Sequence, residues 1–476
     1  MRYSLLVKLL WGELVLLVLP LAINDPTGIA AVCLIDVLVM VVLLWVEMGG
    51  RRTNAMSPVL WGLLGYIVFG QLSFAINILV LGDKFDPGLS EHSIVITGRL
   101  ILAGYRAVLL GVVWTVGRGT RWQETRVAMP PLSIIVLIAL FGAAARLIYR
   151  NQFTDSMHAE FAWYSGFLFV CTPISMCLAV AWRGQNAPRL ATKVVATAIL
   201  LLGLLVGMGD VSRKDTGAAI VPALLGLLFT WRPQNPVVIA NGRVVGKLIV
   251  MGVCGWLILM GTRALSWSIT NHTPFMYELQ YSLTKRQAQD TTGVMAFVVD
   301  TTPRVYPYLY GATLGSLLPI PRVLWPDRPP AHSYFVGLQW RGISSTEFNP
   351  HMMGKNQLSL SAHVLGEGYA NFGYPGAIGL ELLFGILIGL YERRLREGRL
   401  RALRILCPTI LFFIITQQRG DLAMSNTLWL ESGIVLWAIL LATRMSGVGV
   451  RVSRLAERMP PRLRLAGGMP TARPGI

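Results

Sequence analysis

Residues 27–47 read TGIAAVCLIDVLVMVVLLWVE, a run with a single charged residue, Asp36, before its closing Glu47. Wound as a helix at 1.5 Å per residue, such a run covers the roughly 30 Å hydrocarbon core of a bilayer. The pattern recurs along the chain. Twelve segments qualify as spans: 5–23, 27–47, 59–81, 93–117, 131–149, 161–182, 194–209, 216–231, 248–266, 373–390, 403–416 and 424–443. The first is not a signal peptide, because no small-residue cleavage site follows its apolar run and a second span follows at once. Composition agrees: 54% of the 476 residues are apolar and 14% are charged, against roughly 25% charged in a soluble enzyme. The mean hydropathy is +0.57. A disordered chain, a nucleic-acid module or a secreted disulfide scaffold all need more polarity or more cysteine than this.

The net charge of +18 orients the chain. With the N-terminus, carrying Arg2 and Lys8, placed inside, and with Lys8 and Arg404 counted at the inner ends of their spans, 26 basic residues fall on the cytoplasmic side, 12 outside and 4 deeper within spans. With Glu47, at the inner end of its span, counted inside, acidic residues divide as 5 inside, 15 outside and 4 deeper within spans, namely Glu13, Asp36, Glu381 and Glu431. Every connection obeys the positive-inside rule, so the expected fold is an all-α polytopic membrane protein of twelve helices with both termini cytoplasmic.

The chain divides into nine spans with short loops (1–266), one large external segment (267–372), three further spans (373–443) and a basic Pro/Arg-rich tail (444–476) read as disordered beside anionic lipid. No internal repeat is present. Amphipathic stretches around 275–300 and 303–318 predict that the large segment is partly helical and lies on the membrane surface. External segments of that length are usually functional.

All five cysteines fall within spans, so no disulfide holds this segment, and neither Cys nor His has the spacing of a metal site. The six histidines lie on the external side or its edge; they read as scattered surface residues, or one of them, such as His332, serves as a base. Arg99, Arg106, Arg146 and Arg263 lie within spans. Arg99 sits about 9–10 Å below the outer end of its helix. Two readings stand: a site for an anionic headgroup, or ion pairs with Asp and Glu. Two external turns, Ser212-Arg213-Lys214-Asp215 and Gln418-Arg419-Gly420-Asp421, hold cations at the bilayer surface, as phosphate ligands or as anchors.

Aromatic residues mix with Arg and Pro in Tyr306-Pro307-Tyr308-Leu309-Tyr310-Gly311 and in Pro321-Arg322-Val323-Leu324-Trp325-Pro326-Asp327-Arg328-Pro329-Pro330. They suit sugar faces and phosphates, or an interfacial aromatic belt. The large segment returns through Gly366-Glu367-Gly368-Tyr369-Ala370-Asn371-Phe372-Gly373-Tyr374-Pro375-Gly376-Ala377. Its Glu367 is either a general base or a surface carboxylate.

Over roughly residues 190–445 this order of features resembles the O-antigen polymerase family, the oligosaccharide repeat-unit polymerases of bacterial surface polysaccharides. The resemblance rests on Ser212-Arg213, the Tyr-rich stretch ending in Gly311, Pro321-Arg322 through Arg328-Pro329, Glu367 with Asn371, Gly373 and Gly376, and Arg419-Gly420-Asp421. It implies a GT-C-type architecture in a bacterial inner membrane, with the active site facing the periplasm. Undecaprenyl-pyrophosphate-linked oligosaccharide would be the substrate, with no cofactor, no metal and no nucleic acid, and with a chain-length regulator and a flippase as partners. The implied pyrophosphate ligands are Arg213, Lys214, Arg304, Arg322, Arg328, Arg419, Arg99 and Arg263. Arg322 and Arg419 would act in catalysis with Glu367 or His332 as the base, and Tyr308, Tyr310, Trp325, Trp340 and Asn371 would hold sugar. An O-antigen ligase shares these features and differs in its acceptor, lipid A core. A lipid-linked oligosaccharide transporter fits the span count, but it lacks support from an internal repeat and has no need of so long an external segment.

Overall fold

The computed structural model describes residues 3–15, 22–49, 54–79, 89–117, 129–152, 158–183, 190–208, 221–227, 272–284, 291–311, 332–340, 362–399, 407–418 and 432–441, with isolated positions between them such as Trp325 and Arg404. Among these residues the fold is all-helical, with no strand. In chain order the helices are α1 (Tyr3–Val15), α2 (Pro26–Gly49), α3 (Pro58–Leu79), α4 (Glu91–Val116), α5 (Leu132–Gln152), α6 (His158–Arg183), α7 (Leu190–Met208), α8 (Phe275–Thr284), α9 (Thr291–Thr301), α10 (His332–Trp340), α11 (Val364–Arg396), α12 (Cys407–Gln417) and α13 (Ser432–Leu441).

Four helices are long and apolar enough to cross a membrane: α2 through its Pro26–Leu43 stretch, α3, α4 and α11. Shorter apolar helices lie at Leu132–Ala145, Val170–Arg183, Leu190–Val206, Cys407–Gln417 and Ser432–Leu441. The outward faces are apolar. Leu38, Val41, Val42 and Val46 of α2 and Leu137, Leu140 and Phe141 of α5 are exposed, whereas Glu13, Asp36 and Arg106 are buried. Apolar surface outside and paired charge inside is the arrangement a lipid solvent favours. Of the expected spans, 248–266 lies mostly outside the described residues, and 216–231 is described only at 221–227.

Local sequence sets the helix starts. Asp25 Oδ1 accepts from Gly28 N (2.8 Å) ahead of Pro26 in the first turn of α2. Ser57 Oγ accepts from Leu60 N (3.3 Å) ahead of Pro58, and Ser90 Oγ from Ser93 N (3.3 Å) at the start of α4. Within α3, residues Ile67–Leu72 widen into a π-helical turn, a feature often found at functional sites.

The central pair is α4 with α11, crossed at glycines: a Cβ on Gly111 would meet the Leu382 carbonyl, and one on Gly385 the Val108 carbonyl. Small residues let the two backbones approach, the usual device of helix packing in lipid. Helices α1, α2 and α3 pack around this pair. Helices α5, α6 and α7 form a second group, and α12 joins the groups by packing on α3 and α6.

Two expectations for the external segment change. Helix α9 is not an amphipathic surface stretch, because its residues are buried against α4 and α11; its apolar run is simply too short to have read as a span. The segment also ends in helix. Helix α11 begins at Val364 and breaks at Phe372 (φ −141°, ψ 18°) and Gly373 (φ 66°, ψ −150°), so the boundary expected at residue 373 is a break between two helical halves.

Candidate functional site

The break in α11 organises the candidate site. Its first half, Val364 to Asn371, is buried, including Glu367 and Asn371, both 0% exposed. Asn371 Nδ2 donates to the Glu367 carbonyl (2.8 Å), and its Oδ1 accepts from Gly311 N (3.0 Å). Beside it, Leu309 N donates to the Ala370 carbonyl (2.9 Å) and Tyr310 N to the Asn371 carbonyl (3.0 Å). Backbone groups left without intrahelical partners by the break are thus met by the Tyr308–Gly311 strip. Tyr310 (φ 42°) and Gly311 (φ 84°) turn the strip with positive φ, a conformation glycine adopts at little cost.

This lacing gathers tyrosines at the break. Tyr308 lies 6.0 Å from Tyr310 and 6.3 Å from Tyr369, and Tyr369 lies 5.5 Å from Tyr374 (ring centroids), all edge-on. Tyr310 and Tyr374 are exposed at 75% and 48%, so their rings are open to a ligand. Arg99 Nη2 donates to the Ile23 carbonyl and to Asn24 Oδ1 (2.8 Å each), and its charge acts on the Tyr374 phenol. Tyr308, Tyr310, Asn371, Glu367 and Arg99 of the expected site are therefore brought to one place.

A second cluster ties α9 to the start of α4. Ser90 Oγ (2.7 Å) and Ser93 Oγ both donate to Asp300 Oδ1, while Arg304 pairs with Asp300 Oδ2. Burial opposes the Asp300 charge, yet the hydroxyls of Ser93 and Ser90 and the Arg304 guanidinium hold its carboxyl below the ordinary value. Arg304, expected on pyrophosphate, thus has a carboxylate partner already.

Other expected residues stand apart. His332 opens α10 and is buried. Trp340 packs one side of its ring on Phe297 at 4.8 Å, so it serves the packing of α10 on α9 rather than offering both faces to sugar. Trp325 is half-buried. Arg213, Lys214, Arg263, Arg322, Arg328 and Arg419 lie outside the described residues. Sequence reasoning passed over Tyr369 and Tyr374, although both sit in the glycine-rich return it singled out; their aromatic density there was the available signal. It also passed over Asp300, and took His363 only as one of six histidines.

The break sets the exposed rings of Tyr310 and Tyr374 beside buried Glu367 and Asn371, a set suited to a polyhydroxylated ligand. Among the described residues no group of three or more His, Cys, Asp or Glu converges on a point that could hold a metal ion. No family model matches the chain, and no curated protein and no solved structure is similar to it.

Proposed function

We propose that the chain is a membrane glycosyltransferase that joins undecaprenyl-pyrophosphate-linked oligosaccharide repeat units at the periplasmic face of a bacterial inner membrane. One observation carries the reading: the Tyr308–Gly311 strip is laced to the break in α11, which gathers four tyrosines beside Glu367 and Asn371. On this reading the bundle has twelve spans, cytoplasmic termini and a GT-C-type architecture. A chain-length regulator and a flippase act beside it.

The reaction it would catalyse is a glycosyl transfer. A sugar hydroxyl of the incoming lipid-linked unit attacks the anomeric carbon of the growing glycan. The bond from that carbon to the pyrophosphate oxygen breaks, and the hydroxyl proton passes to Glu367. Arg213, Arg322, Arg328 and Arg419 neutralise the departing pyrophosphate. Tyr308 and Tyr310 hold the sugar and Asn371 fixes the strip that carries them.

The test is elongation in vitro. Purified protein with a synthetic lipid-linked repeat unit gives a ladder of chain lengths, and the Tyr308→Ala, Tyr310→Ala double variant gives a markedly shorter one. No elongation, but transfer of a preformed chain to lipid A core, would make the protein a ligase. Movement of the lipid-linked unit across a vesicle without any new glycosidic bond would make it a transporter.

A further inference from the structure

A group of polar side chains that the external site does not use lies where α1, α2, α3 and α4 meet. Glu13 of α1, Asp36 of α2, Gln71 of α3 and Arg106 of α4 are 1%, 0%, 0% and 6% exposed. Asp36 stands about 15 Å along α2 from Pro26 at 1.5 Å per residue, well inside the span. Arg106 Nη2 lies 3.4 Å from Glu13 Oε2 and 3.8 Å from Asp36 Oδ2, and its Nε donates to the Glu13 carbonyl (2.9 Å). Gln71 Nε2 donates to Asp36 Oδ2 (3.2 Å).

The surroundings are closed and nearly neutral. Cys33 of α2, Tyr66 of α3 and Tyr105 of α4 are the other titratable groups that interact with this cluster among the described residues. The Tyr105 hydroxyl is turned to the Met40 sulfur (3.3 Å) and the Tyr66 hydroxyl to the Ile101 carbonyl (2.7 Å). Arg106 is the one cation among the described residues that reaches the two acids.

Charge counting then decides the occupancy. With both carboxyls ionised, the cluster carries a net negative charge inside the membrane. Among the described residues Glu13 Oε1, Glu13 Oε2 and Asp36 Oδ1 accept no hydrogen bond, so beside the Gln71 amide on Asp36 Oδ2 only Arg106 offsets that charge. Buried carboxylates with so few donors are strongly disfavoured against their neutral forms. One proton on the pair makes the cluster neutral, whereas a second would leave Arg106 uncompensated.

We infer that Glu13 and Asp36 form an intramembrane site that binds one exchangeable proton, with Arg106 as its fixed counter-charge. The site is independent of the tyrosine cluster at the break in α11 and of the glycosyl-transfer reading. It gives the α1–α4 bundle two charge states, neutral and anionic. Ionisable groups inside spans pair in this way where protons are carried or sensed.

Infrared difference spectra of the full-length protein in lipid nanodiscs, taken between neutral and alkaline pH, test it. The wild type shows a protonated-carboxyl C=O band at neutral pH that is lost on alkalinisation. Glu13→Gln and Asp36→Asn each remove the same component of that band, and Glu381→Gln leaves that component in place. Both single substitutions keep a neutral cluster, so the fold persists; if one fails to fold, the other decides. A band unchanged in both variants, a wild type without the band, or a band displaced by sodium chloride at constant pH (a sodium site instead) each overturns the proposal.

Discussion

His363 Nδ1 lies 3.6 Å from Glu381 Oε1, with both side chains wholly buried. In a straight helix these two positions would stand about 27 Å apart along the axis. The break at Phe372–Gly373 therefore folds the first half of α11 back along the second. The close approach of Gly368 to the Gly376 carbonyl and to Ala377 shows the same reversal. Gln418 Nε2 donates to Glu381 Oε2 (3.1 Å) and completes the group.

His363 caps the folded-back half, its Nδ1 accepting from Leu365 N (3.3 Å). An imidazole that accepts there keeps its proton on Nε2. His363→Asn retains a capping acceptor and holds stability near wild type. His363→Leu loses the cap and about 1 kcal/mol, read as a lower Tm in detergent. Equal Tm values for the two variants would contradict the capping role.

Asn371 joins the break to the tyrosine strip through both ends of its amide. Asn371→Ala leaves Gly311 N and the Glu367 carbonyl without these partners and costs about 1–3 kcal/mol. Asn371→Asp keeps the acceptor for Gly311 N. We expect elongation to fall at least tenfold in the alanine variant and less in the aspartate one. A ladder of wild-type length from Asn371→Ala would remove this residue from the site.

Asp300 makes a pH prediction. Its folded carboxyl ionises below its unfolded value, so its contribution is present above the unfolded pKa and lost as pH falls through the folded one. The Tm difference between wild type and Asp300→Asn is therefore widest at neutral pH and closes on acidification below the carboxylate range. A gap that widens in acid would reverse the sign and refute the assignment.

Gly385 tests the central pair. Any side chain there collides with the Val108 carbonyl. Gly385→Leu must push α4 from α11 and costs about 1–3 kcal/mol or more. Gly379, with open space around its Cβ position, accepts alanine without such a loss. Chymotrypsin sensitivity of the membrane-embedded protein separates the two.

Spans α2, α3 and α4 were legible because their apolar runs are long. Residue 373 was legible as a boundary, but as the start of a span and not as a break between two helical halves, although Gly373-Tyr374-Pro375-Gly376 carries turn residues. The helix before it was not. Gly366 and Gly368 look like loop residues, yet Gly368 is there to let two helical halves touch. Pairing inside the membrane was legible only as arithmetic, since four cations and four acids within the expected spans cancel. That Arg106 meets Glu13 and Asp36, rather than Arg99 doing so, depends on how α1 and α2 pack on α4, which no local pattern encodes.

The π turn in α3 has a consequence for the end of that helix that meets α9. Beyond it, Asn77 Nδ2 donates to Thr292 Oγ1 (2.9 Å), and within it the Phe69 carbonyl accepts from Thr291 Oγ1 (3.3 Å). A π turn stores one more residue than an ordinary turn. A π turn spreads that surplus over nearly the same sweep as the α turn it replaces, so deleting one residue of Ile67–Leu72 would return the helix to α geometry with Asn77 still facing α9. The change would instead fall on the turn itself and on the Phe69 carbonyl that meets Thr291. The one-residue surplus is thus a local device: it sets how α3 meets α9 at one carbonyl without turning the rest of the helix.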